Sequence, residues 1–184
     1  MSTKISSGLS NSSSYYLRLF YSNNRDISKS SKRADFSHVE LAYEDSLALK
    51  KASHKLNSYD YSSDSNEDNI INTVSAYVDV YNNALESSAD SDDLKRYTKQ
   101  LKRLSSDYTD ELKDIGISIN SDGSMEVNET LLKAAGTDKI KKVFDKDVGY
   151  TKSLRSITAH MRTAAYNNIY SDITGNGTKI NITL

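Results

Sequence analysis

The chain contains no cysteine, no proline and no tryptophan, and only 7 glycines and 3 phenylalanines among its 184 residues. Without cysteine there are no disulfides, thiolate nucleophiles, iron–sulfur clusters or cysteine-ligated zinc, so packing has to hold the fold together. Without proline and with little glycine, few breaks are forced on the backbone, which suits long helices and argues against a loop-rich sandwich. Neither sign of charge dominates: 24 Lys and Arg stand against 25 Asp and Glu. No global field therefore favours nucleic acid or an anionic membrane surface. No apolar run approaches the roughly 20 residues that cross a bilayer, and the longest candidate, Tyr15 to Tyr21, is interrupted by Arg18. The N-terminus has none of the basic, apolar and small-residue segments of a secretory signal, so the reading is a protein without membrane insertion and without signal-peptide export.

What the chain does have is tyrosine, 13 residues of it. A tyrosine ring packs against apolar neighbours while its hydroxyl reaches a polar partner, as the seams of thin bundles require.

Residues 1–31 are rich in Ser and Asn around one apolar knot, Tyr15, Tyr16, Leu17, Leu19, Phe20 and Tyr21. Such a segment buries too little on its own to offset its ordering entropy, and it reads as a flexible arm. Its knot either docks on the rest of the chain or is offered to another subunit.

Residues 32–184 read as one helical domain. From Ala34 to Leu56, Phe36, Val39, Tyr43 and Leu47 recur at spacings of three and four. After an acidic, serine-rich link, in which Ser65 and Asp68 imitate a capping box, Ile70, Val74, Tyr77, Tyr81 and Leu85 mark a second helix over Asn66 to Glu86. The cleanest period lies in Asp92 to Ile115, where Leu94, Tyr97, Leu101, Leu104, Tyr108, Leu112 and Ile115 form a coiled-coil seam beneath a charged outer face. The period then falls to two around the turn Asn120 to Gly123, which predicts a β-hairpin at 117–127. Two short helices follow, and then a long one from Val148 to Ile173 carrying Leu154, Ile157, Met161, Ala164 or Ala165, Ile169 and Ile173. The tail alternates Ile180, Ile182 and Leu184, which suits a strand beside the hairpin. The expected fold is mostly α: an elongated antiparallel bundle of three to four long helices, with the hairpin and the tail strand at one end.

No residue pattern points to catalysis. The three histidines lack paired-ligand spacing, no serine sits in a GxSxG elbow, and no glycine-rich loop cradles phosphate. The one metal-like coincidence is a calcium-loop register in which Asn120, Asp122 and Glu129 take the third, fifth and twelfth positions while Ser118 replaces the entry Asp. A glycine-turned hairpin explains the same residues without metal. The expectation is therefore a non-enzymatic protein without cofactor. Its contact residues are expected in the knot (Tyr15, Tyr16, Leu17, Leu19, Phe20, Tyr21) and the seam (Leu94, Tyr97, Leu101, Leu104, Tyr108). A calcium-responsive module using residues 118–129, or a secreted effector or adhesin, are the alternatives.

The words Tyr77-Val78-Asp79-Val80-Tyr81-Asn82, Gly116-Ile117, Asp122-Gly123-Ser124-Met125, Glu129 with Leu132, and Val143-Phe144 occur in that order. With them the span from about Ile71 to Phe144 resembles the C-terminal core segment of the flagellar filament-capping protein family, also called hook-associated protein 2. The large variable β domains of that family and its long terminal coiled coil have no counterpart here. The resemblance implies a bacterial, flagellum-associated structural protein, exported without a signal peptide. It implies flagellin or other axial subunits as partners, together with self-association.

Overall fold

The computed structural model describes residues 11–63 and 66–175. Helix α1 spans Asn11–Phe20, and two 3-10 turns, Arg25–Ser28 and Ser30–Asp35, lead to α2 at His38–Asn57. Then come α3 (Glu67–Ala89), α4 (Lys95–Asp107), α5 (Thr109–Asp114), β1 (Ile117–Ile119), β2 (Met125–Val127), α6 (Glu129–Ala135), α7 (Thr137–Phe144) and α8 (Gly149–Gly175).

Local chemistry sets the boundaries. Ser37 opens α2 with a full capping box: its hydroxyl accepts from the Glu40 amide, and the Glu40 carboxylate accepts from the Ser37 amide at 2.9 Å. Asn128 opens α6 by accepting from the Leu131 amide at 3.0 Å. Gly116, at a φ of 80°, turns the chain into β1, and a Cβ there would stand 2.8 Å from the Leu132 nitrogen, so no other residue fits.

The four long helices form an antiparallel ring. Tyr59 bonds Thr73 near one end of the α2–α3 pair, while His38 meets Asp90 at the other. Ser88 pairs with Thr98, and Ser105 with Tyr81, along α3 and α4. Helix α8 closes the ring by packing on both α2 and α4. Small residues line these contacts, with Ala42, Ala48 and Ala52 on α2 and Ala76 and Ala84 on α3 fully buried, which lets the helix axes approach closely. At about 1.5 Å per residue α8 is roughly 40 Å long, so the bundle is elongated as well as helical. The mostly helical fold and the hairpin agree with the sequence reading, and β1 pairs antiparallel with β2 from Ile117–Val127 to Ile119–Met125. The tail strand proposed for residues 179–184, the start of the arm and Ser65 lie outside the described residues.

Two expectations change. The helix expected over Asp92 to Ile115 breaks at Tyr108, whose backbone leaves the helical region (φ −120°, ψ 25°). Neither glycine nor proline marks the break. The ring of Tyr108 sits edge-on against Tyr150 at 5.3 Å, and its hydroxyl lies so close to Gly149 that a Cβ there would come within 2.3 Å of it. Tertiary packing therefore overrides the local heptad. The second change is the arm. From Asn11 onward it is part of the bundle domain, with α1 packed on α3 and α2, so the boundary at Ser31 is not a domain boundary. The apolar knot finds a floor on α3 that its own segment does not reveal.

Candidate interaction surfaces

Eight of the eleven expected contact residues are turned inward. Tyr16, Leu17, Phe20 and Tyr21 are buried against the bundle, and Leu94, Tyr97, Leu101 and Leu104 belong to the intramolecular core. Tyr108 is half-buried, while Tyr15 and Leu19 remain 55% and 44% exposed on the outer side of α1. The seam is spent on closing the ring, because α4 has α3 on one side and α8 on the other. A bundle of this size needs that apolar area for itself.

Tyr21 and the turn after it are fixed by a buried ionic latch. Arg33 grips Asp45 with both terminal guanidinium nitrogens, at 2.9 and 2.7 Å, and Asp45 is fully buried. The Tyr21 hydroxyl donates to the same carboxylate at 2.6 Å and accepts from Asn83 at 3.1 Å. Burial, followed by the charge of Asp45, holds the Tyr21 phenol well above its ordinary range. Burial works against the charge on Arg33, but the hydrogen bond and charge of Asp45 prevail and its pKa rises. The carboxylate thus keeps two partners at once. Asp45 shares the inward face with Leu41, Leu49, Ala52 and Leu56, and a charge at that register is the one signal by which the sequence marks the latch.

Further along α1, Ser13 donates to Asn72 and Tyr16 donates to Asn69, both on α3. Asp79 lies on the same face, seven residues after Asn72 and four before Asn83. Its Oδ2 is shut away from solvent without a hydrogen-bond partner, and burial pushes its carboxyl up to about 6.

The hairpin is fastened to the next residue on α3. Asn82 donates to the Met125 carbonyl and accepts from the Met125 amide, both at 2.8 Å. Beneath it lies a tyrosine-rich core. Tyr77 and Tyr150 share a hydroxyl–hydroxyl bond, Ser105 donates to Tyr81, and Tyr81 donates to the Gly123 carbonyl. Phe144 stands edge-on to both Tyr77 and Tyr150, at 5.0 and 6.0 Å. Burial raises the phenols of Tyr77 and Tyr150, and pushes Tyr81 up to about 12, so all three stay neutral hydrogen-bonding groups at physiological pH. They tie helix ends together rather than offer a base or nucleophile.

The calcium register is not assembled. The Asp122 carboxylate accepts from the Ser124 amide and hydroxyl within the turn, Asn120 donates to Ser124, and Glu129 opens α6. Among the described residues no three His, Asp or Glu side chains converge as a metal site. The histidines are dispersed and exposed, His38 beside Asp90 at 3.2 Å, His54 on α2 and His160 on α8.

The outer surface carries apolar residues at helical spacing in one place that sequence reasoning missed. Tyr166 and Tyr170 on α8 are 56% and 59% exposed, and Ile173, expected in the core stripe, is instead exposed and continues their row. Tyr43 of α2 leans on Tyr166 at 6.4 Å. The periodicity of α8 points to its core stripe, and no helix among the described residues covers the tyrosines beside it. No family model, curated protein or solved structure matches the chain.

Proposed function

We propose that this protein is a non-enzymatic assembly subunit that works by helix-mediated association, with a second copy of itself or an axial filament subunit as partner. The observation that carries this reading is the exposed pair Tyr166 and Tyr170, one turn apart on α8 of a bundle whose core is otherwise closed. Large rings left in water at adjacent turns are the usual anchor of a helix–helix contact. Tyr15 and Leu19, also four residues apart, offer a second and smaller site on α1.

The flagellar-cap resemblance gives the partner class, flagellin or another axial subunit, and an export route without a signal peptide. It is supported by how its motif words meet in space. Tyr77 touches Phe144, Tyr81 reaches the Gly123 carbonyl, Asn82 clamps Met125, and the Gly116 carbonyl accepts from the Asn128 amide. Words that are separated in the chain thus form one packed unit.

Light scattering across a concentration series tests the association. The expected result is a mass that rises with concentration and returns to that of one chain in the double variant Tyr166→Ser/Tyr170→Ser. Co-sedimentation with flagellin filaments tests the axial reading. A wild-type chain that stays monomeric at high concentration and does not sediment with filaments would remove the proposal.

A further inference from the structure

We propose that the exposed row on α8 pairs with the same row of a second copy, antiparallel and about a two-fold axis. The inference rests on the reading of Tyr166 and Tyr170 as a contact, and adds to it the occupant and the geometry. Ala165 is the last buried residue of α8, yet the helix continues to Gly175. The stretch from Tyr166 to Gly175 is about 15 Å long, and only Asn168 and Ile169 in it are half-buried. Asp172 lies in register with the inward stripe of Leu154, Thr158, Met161 and Ala165, but it is exposed, as is every residue from Ser171 to Gly175. The helix thus outruns the ring. A helical segment this short gains little from its own backbone, and an apolar face packed on a neighbour is what stabilises one.

The row itself selects the neighbour. Arg162, Tyr166, Tyr170 and Ile173 follow one another at spacings of four, four and three, so they share one stripe. Tyr43 of α2 widens it beside Tyr166. Opposite charges mark its two ends, Arg162 at the start and Asp172 beside the last residue, and neither has an ion-pair partner among the described residues. When two rows meet antiparallel about an axis midway between Tyr166 and Tyr170, each Tyr166 faces the Tyr170 of the second copy, and rings so placed pack edge-on or offset. Arg162 then lies level with Thr174 of the other helix, within one turn of that copy's Asp172. The last turn of α8 has no basic residue of its own, so the arriving guanidinium also meets the negative end of the helix dipole. A parallel pairing would set Arg162 against Arg162 and Asp172 against Asp172. The order of charges therefore favours the closed, isologous pair.

Sedimentation equilibrium of the full chain tests the pairing. Wild type should approach two copies as concentration rises and not exceed them. Arg162→Glu and Asp172→Lys should each weaken the pair about tenfold or more, because each reversal places two like-charge contacts in one interface. Mixed in equal amounts, the two variants should regain close to wild-type affinity as a heterodimer, since each supplies the sign that the other has lost. The chain carrying both reversals should do so by itself. Unchanged affinity in both single variants overturns the pairing, and the contact reading outlives it if Tyr166→Ser/Tyr170→Ser still abolishes association. Growth beyond two copies, or recovery in neither the mixture nor the doubly reversed chain, overturns the pairing as well. So does a wild-type chain that stays monomeric, in which case co-sedimentation with filaments decides the contact reading separately.

Discussion

Asn82 and Asn83 are neighbours on α3, yet they fasten two different pieces of the molecule in two different ways. Asn82 holds the hairpin by the backbone, one bond to the Met125 amide and one to its carbonyl, over a core whose tyrosine hydroxyls find partners. Asn83 holds the residue that follows α1 by a side chain alone, through the Tyr21 hydroxyl, on a face where Asp79 keeps an unpaired oxygen. A backbone clamp fixes register whatever the neighbouring side chains do. A side-chain clamp holds only while each chosen partner is present, so the first attachment belongs to the global fold and the second is separable from it.

The largest effect is expected at the latch. Asp45→Ala leaves the Arg33 guanidinium buried without its carboxylate, and should lower unfolding stability by about 3 kcal/mol in a denaturant titration. If undocking is the easier escape, the loss appears first as rapid hydrogen exchange in α1 with α2 and α3 still protected. Asn82→Ala removes two bonds to buried backbone groups and should cost about 2 kcal/mol, falling on the whole cooperative transition. An Asn83→Ala loss of the same size would erase the contrast between the two attachments, since about 1 kcal/mol or less is expected there.

Next comes Gly149→Ala, which drives a methyl group to within 2.3 Å of the Tyr108 hydroxyl and should cost about 1–2 kcal/mol by thermal melting. Tyr108→Phe in the same chain should recover most of it, because only the hydroxyl is in the way. Asp79→Asn should act in the opposite direction and stabilise the protein by about 1 kcal/mol at pH 7.5. That gain should shrink below about pH 6, where the wild-type carboxyl, raised from 3.8 by burial, takes up its proton. The smallest effect is expected from Tyr166→Ser, within about 0.5 kcal/mol of wild type in stability, since that ring contributes to the surface and not to the core.

The bundle was legible because its information is periodic. Leu94, Tyr97, Leu101 and Leu104 announce a helix with one apolar face, and Gly116 and Gly123 punctuate the hairpin with positive φ values of 80° and 86°. What covers each face was not legible. Periodicity says that Leu101 will be buried but not whether α3, α8 or another molecule does the burying, and here the first two do. The knot Tyr15 to Tyr21 shows the same limit in reverse: it looks isolated along the chain because its partners, Asp45, Asn69 and Asn83, lie 24 to 62 positions away. The break at Tyr108 arises from an aromatic contact with Tyr150 on α8, which no local pattern encodes. Asp45 was the missed clue that could have been found, a lone charge within an apolar stripe that calls for a cation.

The core phenols have a spectroscopic consequence. Tyr21, Tyr77, Tyr81 and Tyr150 are nearly or fully sealed and their ionisation is suppressed by burial. In a chain without tryptophan, the ultraviolet band that develops as these rings lose their protons in alkali is free of indole background. A jump in alkali to the tyrosinate spectrum therefore marks the moment at which the helices part, so the molecule carries its own optical gauge of opening without any attached dye.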